Sequence, residues 1–263
     1  MNKYAWNAVE YSNNSAAQFS WAQELLKKLH LHGGESVLDI GSGDGKVTAL
    51  IAEQVPRGFV LGIDSSYEMV KLAQTKFPNS LVRNLHFEQH DIRSFSMKEK
   101  FDVAFSNATL HWIIDQQPVL TNIHRALRPN GRMLVQMGGS GNAALVVEAL
   151  DNVCAMSRWN LFFKDFLFPY GFYLPEQYRT WLHEAGFIDI RVELIPKRMV
   201  FRDETGFKGW FRSTWLPYLE RIPAEQKEEF IEDVTNEYIK LSPPTDNGIE
   251  VGMVRLEVEA LKR

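Results

Sequence analysis

The sequence predicts an α/β fold: seven strands in a mostly parallel sheet, helices on both faces, and helical insertions serving as lids. Three observations carry this. Short apolar runs of strand length alternate with helical stretches through the first half of the chain, an order that lays strands side by side and covers them on both faces. The run "SVLDIGSGDG", residues 36–45, breaks from an apolar strand into Gly41-x-Gly43-x-Gly45. Beyond about residue 140 the alternation gives way to two helix-patterned blocks, each followed by one further strand.

Taken in order, strands are expected at Ser36–Ile40, Phe59–Ile63, Leu85–Gln89, Phe101–Phe105 and Arg132–Gln136. Helices are expected between them at Lys46–Gln54, Tyr67–Lys76 and Pro118–Leu127, the last closing in "RPNG", a helix stop followed by a turn. Residues 142–186 are helical in pattern and rich in aromatics. A strand returns at Asp189–Leu194, a second helical block occupies 203–242, and an alternating strand follows at Gly252–Ala260. Because both blocks precede a strand of the same sheet, residues 1–263 are expected to form a single domain. Its cofactor-binding core is 36–140, and 142–186 and 203–242 are its helical lid insertions.

Composition excludes several classes. The 263 residues are 45% hydrophobic and 24% charged, the balance of an ordinary globular protein. A net charge of −4 without a long run of one sign leaves no electrostatic footprint for nucleic acid. A single cysteine, Cys154, precludes an internal disulfide and a cysteine-built metal site, and a free thiol suits a reducing compartment. The opening "MNKYAWNAVEYSNNSAAQ" has no signal-like apolar core, and no window approaches the roughly 18 apolar residues of a membrane span. A cytoplasmic protein, bound neither to membrane nor to metal, is therefore expected.

The glycine loop limits the ligand. Glycines at the carboxyl end of a parallel strand let backbone approach a bound molecule closely. The dinucleotide pattern needs a third glycine where Lys46 stands, and the phosphate-loop pattern needs a hydroxyl residue where Val47 stands. Asp39, on the strand just before the glycines, would repel a pyrophosphate but attract an ammonium or a sulfonium. A nucleoside carrying positive charge and no phosphate satisfies all three conditions, and S-adenosyl-L-methionine is such a molecule.

"VLDIGSGDG" resembles the first motif of class I S-adenosylmethionine-dependent methyltransferases, and the resemblance continues in chain order. It implies a Rossmann-like fold and assigns cofactor contacts to Asp39, Gly41, Ser42 and Gly43. It places Asp64, in "GIDSS" with Ser65, on the ribose hydroxyls and Met69 beside the adenine. It puts Asp91 and Ile92, in "EQHDIRSF", on the adenine edge, and Asn107, in "FSNATLHW", at the methionine end. An acid about 20 residues past the loop is also where a ribose would lie on physical grounds. Asp64 alone could equally cap the helix after it.

The resemblance narrows toward carboxyl methyltransferases. "SNATLHWIIDQ" and "RALRPNGRMLVQM" look like trans-aconitate methyltransferase, while "YSNNSAAQ", "TLHW" and "FPYGFYLPEQY" look like juvenile hormone acid methyltransferase. The likeness spans nearly the whole chain but is strong only to about residue 140. It implies that Gln18 and Trp112 hold a substrate carboxylate, both being neutral hydrogen-bond donors. A carboxylate is already ionised at neutral pH and needs no base. The leading expectation is therefore methylation of a small organic acid, its site shielded by a lid containing Trp159, Phe162, Phe163, Phe166, Phe168, Tyr170, Phe172 and Tyr173. Most of these rings are expected in the core and two or three at the pocket.

Two other functions compete. His111 could act as base for O-, N- or C-methylation of another small molecule, or it could pack and position. The fold could also serve a non-catalytic cofactor-binding protein. Lys197, Arg198, Arg202, Lys208 and Arg212 could receive a di- or tricarboxylate, although a solvated face explains them more simply. Residues Tyr4–Gln18 are expected to fold over the cofactor and present Gln18 to the acceptor. The acceptor's identity and the oligomeric state are not encoded in any of these motifs.

Overall fold

A computed structural model describes residues 16–263, with side chains from Phe19 onward. Residues 4–15 of the expected Tyr4–Gln18 cover, and the Gln18 side chain, therefore lie outside the described residues.

The strands β1 (Ser36–Ile40), β2 (Phe59–Asp64), β3 (Leu85–Gln89), β4 (Phe101–Asn107), β5 (Leu127–Gly138), β6 (Phe187–Phe201) and β7 (Ile249–Lys262) form one sheet in the order β3-β2-β1-β4-β5-β7-β6. The first five are parallel, and β7 runs antiparallel to both β5 and β6. Strand order reverses beside β1, opening the crevice between the carboxyl ends of β1 and β4.

Successive residues of the central strands enter opposite cores, which is why these strands are apolar throughout. Leu38 and Ile40 pack beneath α4 (Gln117–Ala126) and α6 (Pro175–Glu184). Val37 packs beneath α1 (Ala16–Leu26), α2 (Lys46–Gln54) and α3 (Tyr67–Lys76). A third core joins α5 (Ala144–Cys154), α7 (Glu204–Thr214), the short α8 (Leu216–Leu219) and α9 (Lys227–Leu241). These helices pack on an arm of the sheet, residues 196–201 of β6 paired with 249–254 of β7 beyond the last β5 partner.

Several expected boundaries change. The "RPNG" turn does end α4 at Ala126, but it is absorbed into β5. Leu127 faces Phe101 and Arg132 faces Val103, so the residues between bulge outward with Asn130 at φ 63°. β6 and β7 are longer than their apolar patterns because their outer arms continue into the third core. Within 142–186, helix is confined to α5 and α6, and the aromatic stretch from 155 to 174 is turns and extended chain. The second block bends at Trp215 and Pro223 into α7, α8 and α9.

Candidate active site

The glycine loop leaves β1 and is pinned at once. The Gly41 and Ser42 amides both donate to the Ile63 carbonyl at the end of β2, at 2.8 and 3.0 Å. Gly41 adopts φ 77°, and a Cβ there would lie 2.0 Å from Thr109 Oγ1, so only glycine admits this crossing. Gly43 adopts φ 53°, and a Cβ there would meet nothing within 4 Å, so bare backbone faces open space.

That space is a cavity of about 1020 Å³ at the carboxyl ends of the parallel strands. Gly41, Gly43, Asp64, Ser65, Met69, Asp91, Ile92 and Trp112 all line it, and each had been singled out in the sequence. Asp64 is held by two amides: Gly43 N–H donates to Oδ2 at 3.1 Å and Ser66 N–H to Oδ1 at 2.8 Å. Each carboxylate oxygen can still accept a second bond. Burial nevertheless raises its pKa against those amides. The helix cap that Asp64 could have supplied comes instead from Ser66, whose hydroxyl accepts from Met69 N–H at 3.4 Å.

Asp39, Ser42, Asn107 and His111 are not on the wall of this cavity. Asp39 lies behind the loop, 2% exposed, and accepts from the Thr48 hydroxyl at 2.7 Å. Burial, reinforced by the neighbouring Asp64, lifts its pKa to about 7 despite the Thr48 bond. Its side-chain partner is Thr48, behind the loop rather than in the cavity. Ser42 is buried with its hydroxyl unpartnered. Asn107 ends β4, and the wall passes to Ala108, held in the left-handed region at φ 57°, and to Thr109. Thr109 donates toward the carbonyls of Gly41 and Asn107 at 3.3 and 3.2 Å. Nothing in the "NATLHW" string announced that kink, since alanine rarely adopts positive φ.

Arg93 was likewise missed. Its Nε lies 2.9 and 3.0 Å from the two oxygens of Asp91 and its Nη2 closes the fork, and this bond lowers the Asp91 pKa.

His111 lies deeper, lining a smaller cavity of about 40 Å³ that shares Ala108 and Trp112 with the first. Its Nδ1 accepts from Gly138 N–H at 3.4 Å, which places the proton of the neutral ring on Nε2. Burial, and then the positive charge of Arg255, push its pKa down to about 3.

Of the eight expected lid aromatics, Phe166 and Phe168 line the large cavity and Tyr170 and Phe172 the small one. Trp159 is core, its indole donating to Asp233 at 2.7 Å, and Tyr173 packs on the sheet side against Trp181. Arg221 holds the turn segment by donating to Phe162 and Lys164 carbonyls at 2.8 and 3.3 Å. None of Lys197, Arg198, Arg202, Lys208 and Arg212 is on the wall of either cavity. Four of them pair with Glu24, Glu250, Glu232 and Glu228 respectively.

The donor set fits S-adenosyl-L-methionine. Backbone is open at Gly43, a carboxylate with spare acceptor capacity lies opposite at Asp64, and Met69 and Ile92 supply apolar wall. No group of three or more His, Cys, Asp or Glu among the described residues is placed to hold a metal, and no described helix is long and apolar enough to cross a membrane.

Residues 31–186, more than half of the chain, match a family model described as a methyltransferase domain. An uncharacterized methyltransferase of Schizosaccharomyces pombe is 32% identical over 73% of this chain and 74% of its own. Trans-aconitate 2-methyltransferase of Deinococcus radiodurans is 30% identical over 86% of this chain and 87% of its own. Among solved structures, phosphoethanolamine N-methyltransferase 2 of Haemonchus contortus, in complex with S-adenosyl-L-methionine, superposes with a TM-score of 0.61 at 17% identity. That match covers 97% of this chain and 56% of the other, and it supports the fold. The glycine loop, the carboxylate facing it and these relatives converge: the chain belongs to the methyltransferase domain family and is a class I S-adenosylmethionine-dependent methyltransferase.

Proposed function

We propose that the enzyme methylates a carboxylate oxygen of a small organic acid. The observation that carries this is the state of His111, the base that the sequence offered. Its ring is buried, its Nδ1 is engaged by Gly138, and its pKa is held near 3, so at neutral pH it does not take a proton from a phenol or an amine. A carboxylic acid is ionised at that pH and requires none. The relative from Deinococcus radiodurans is named for trans-aconitate, a carboxylate, which agrees with this reading.

Bound S-adenosyl-L-methionine supplies a methyl group already activated on a sulfonium. The chain's part is to hold, align and dehydrate. Asp64, with acceptor capacity left on both oxygens, would hold the ribose hydroxyls, Gly43 would admit close approach, and Met69 and Ile92 would give the base an apolar wall. Trp112 stands between the two cavities, where an indole N–H can orient the acceptor oxygen without neutralising it. The Tyr170 ring meets it edge-on at 5.0 Å and fixes its plane. Positioning of this kind supplies roughly 7–11 kcal/mol of a bimolecular barrier, and the Phe166 and Phe168 segment excludes the water that would oppose charge cancellation.

The test is a screen of small acids, phenols and amines with radiolabelled cofactor, joined to His111→Gln. Methyl esters as products, a His111→Gln rate within about tenfold of wild type, and a rate nearly flat above pH 6 are expected. Labelled phenols or amines, with a rate that climbs through the histidine range and vanishes in His111→Gln, would overturn the reading.

A further inference from the structure

The small cavity has a wall of uneven chemistry. It is bounded by α7 and the Trp215 corner on one side and by Asn142, Met253 and Arg255 on the other. Trp210 and Trp215 are 1% and 2% exposed, and both indole N–H groups are buried with no hydrogen-bond partner. An unpaired buried donor costs about 1–3 kcal/mol, so two of them beside one cavity call for an acceptor placed there. The protein does not lack the means to satisfy such donors, since Trp159 in the same aromatic core donates to Asp233. The neutral His111 ring brings a third donor, Nε2–H, to the same space.

Charge favours an anion as that acceptor. Arg255 is 3% exposed, sits on β7 opposite Gly138, and stacks its guanidinium over Trp21 at 5.5 Å. Its charge reaches the cavity, being the second cause of the low His111 pKa after burial. None of the described residues lining the cavity is acidic. A space of about 40 Å³ exceeds the room one water needs and suits a group of carboxylate size.

We propose that this inner cavity seats a second carboxylate of the acceptor. The enzyme would then take a short diacid, whose reacting carboxylate lies on the Trp112 side. The other carboxylate accepts from the Trp210 and Trp215 indoles, with Arg255 as its counter-charge. This rests on the carboxylate reading above and names the acceptor class within it. It also relocates the anion site from the basic residues between 197 and 212 to one buried arginine that sequence pattern gave no reason to choose.

The experiment compares glutarate with butyrate, by initial rates and by calorimetric binding in the presence of S-adenosylhomocysteine. Glutarate should have the lower KM and bind more tightly. Trp210→Phe and Trp215→Phe, which keep an aromatic ring and delete the N–H, should each raise the glutarate KM by about tenfold to a hundredfold, with little change in kcat or in butyrate binding. Trp159→Phe serves as the control: it deletes an indole donor in the same core but away from the cavity and should leave the ratio of the two acids unchanged. Butyrate methylated as well as glutarate, with the ratio unmoved by either cavity variant, would overturn the diacid subsite while leaving carboxyl methylation intact. Glutarate bound tightly, with dependence on Trp210 and Trp215 but no acid methylated, would keep the subsite and remove the carboxyl reaction. Phosphoethanolamine binding there in preference to glutarate would overturn the assignment to a carboxylate.

Discussion

At the ends of β1 and β2 the cavity wall is backbone and the Asp64 carboxylate, with Asp39 buried behind the loop. Around α7 it is stacked and edge-on rings, with polar atoms few and deeply buried. The first region fixes its ligand groups by covalent geometry: Gly41 and Gly43 at positive φ, amides pinned to Ile63, Asp64 gripped by two N–H groups. The second fixes them by packing, as in the set Tyr170, Trp215, Trp210 and Phe207, each ring against the next. A loop made this way serves one cofactor and tolerates little change. An aromatic shell can exchange acceptors by changing which rings carry a donor, so one fold can hold its methyl donor constant while its substrates diverge.

The comparison predicts effects of different size and place. The largest is expected from Phe207→Ala. Phe207 is fully buried and stacks on Tyr238 at 5.0 Å, so its removal should cost roughly 3–5 kcal/mol of stability. Hydrogen exchange should rise in α7 and α9 while β1–β4 stay protected and cofactor affinity shifts by less than about tenfold. Uniform loss of protection through the sheet would show that the two regions unfold as one.

Next is the pH dependence of the cofactor side. Below about pH 4, Asp39 is protonated in the folded and unfolded chain alike. Between about 4 and 7 the unfolded chain ionises it while the folded one keeps the proton, so the unfolded chain binds fewer protons and stability falls with rising pH. Above about 7 the contribution is flat. Across the window the loss is at most about 4 kcal/mol, and Asp39→Asn should flatten it in cofactor-free protein melted between pH 4 and 8. An unchanged slope in that variant would assign the titration to another group.

Smaller still is Asp64→Ala, which deletes a charged acceptor and should weaken S-adenosylmethionine binding about ten- to a hundredfold by calorimetry. The fold should not suffer, since the change also removes a partly buried carboxylate whose charge raises the pKa of the neighbouring Asp39. Unchanged affinity would take Asp64 out of the cofactor site.

The two regions also differ in how far the sequence disclosed them. β1 and β3, with α2 and α3, fall at their expected limits because buried parallel strands and capped amphipathic helices each leave a local pattern. The stretch 155–174 has helical spacing of aromatics yet forms turns, because its rings are claimed by Tyr218 and Phe230 and its Phe162 carbonyl by Arg221, all from distant parts of the chain. Within the site, residues whose role follows from their own type were legible, as with Gly43 and Asp64. Asp39 was recognised as important, but its partner Thr48 was not, since a hydrogen bond to a hydroxyl nine residues away leaves no local pattern. Ala108, Arg93 and Arg255 were illegible. A positive φ at alanine, an arginine fork across two residues and the burial of a strand arginine are all set by tertiary surroundings rather than by neighbours in sequence.

The strand order has a temporal consequence. β6 pairs only with β7, and β7 alone joins it to β5, so β6 has no place in the sheet until the segment 249–262 exists. During synthesis β1 to β5 can assemble as each emerges, because every pairing among them joins strands already made. The cofactor crevice between β1 and β4 can thus take shape on the nascent chain, whereas the inner chamber waits for Met253 and Arg255. Until β7 is made, the β5 edge is the open face of that partial sheet.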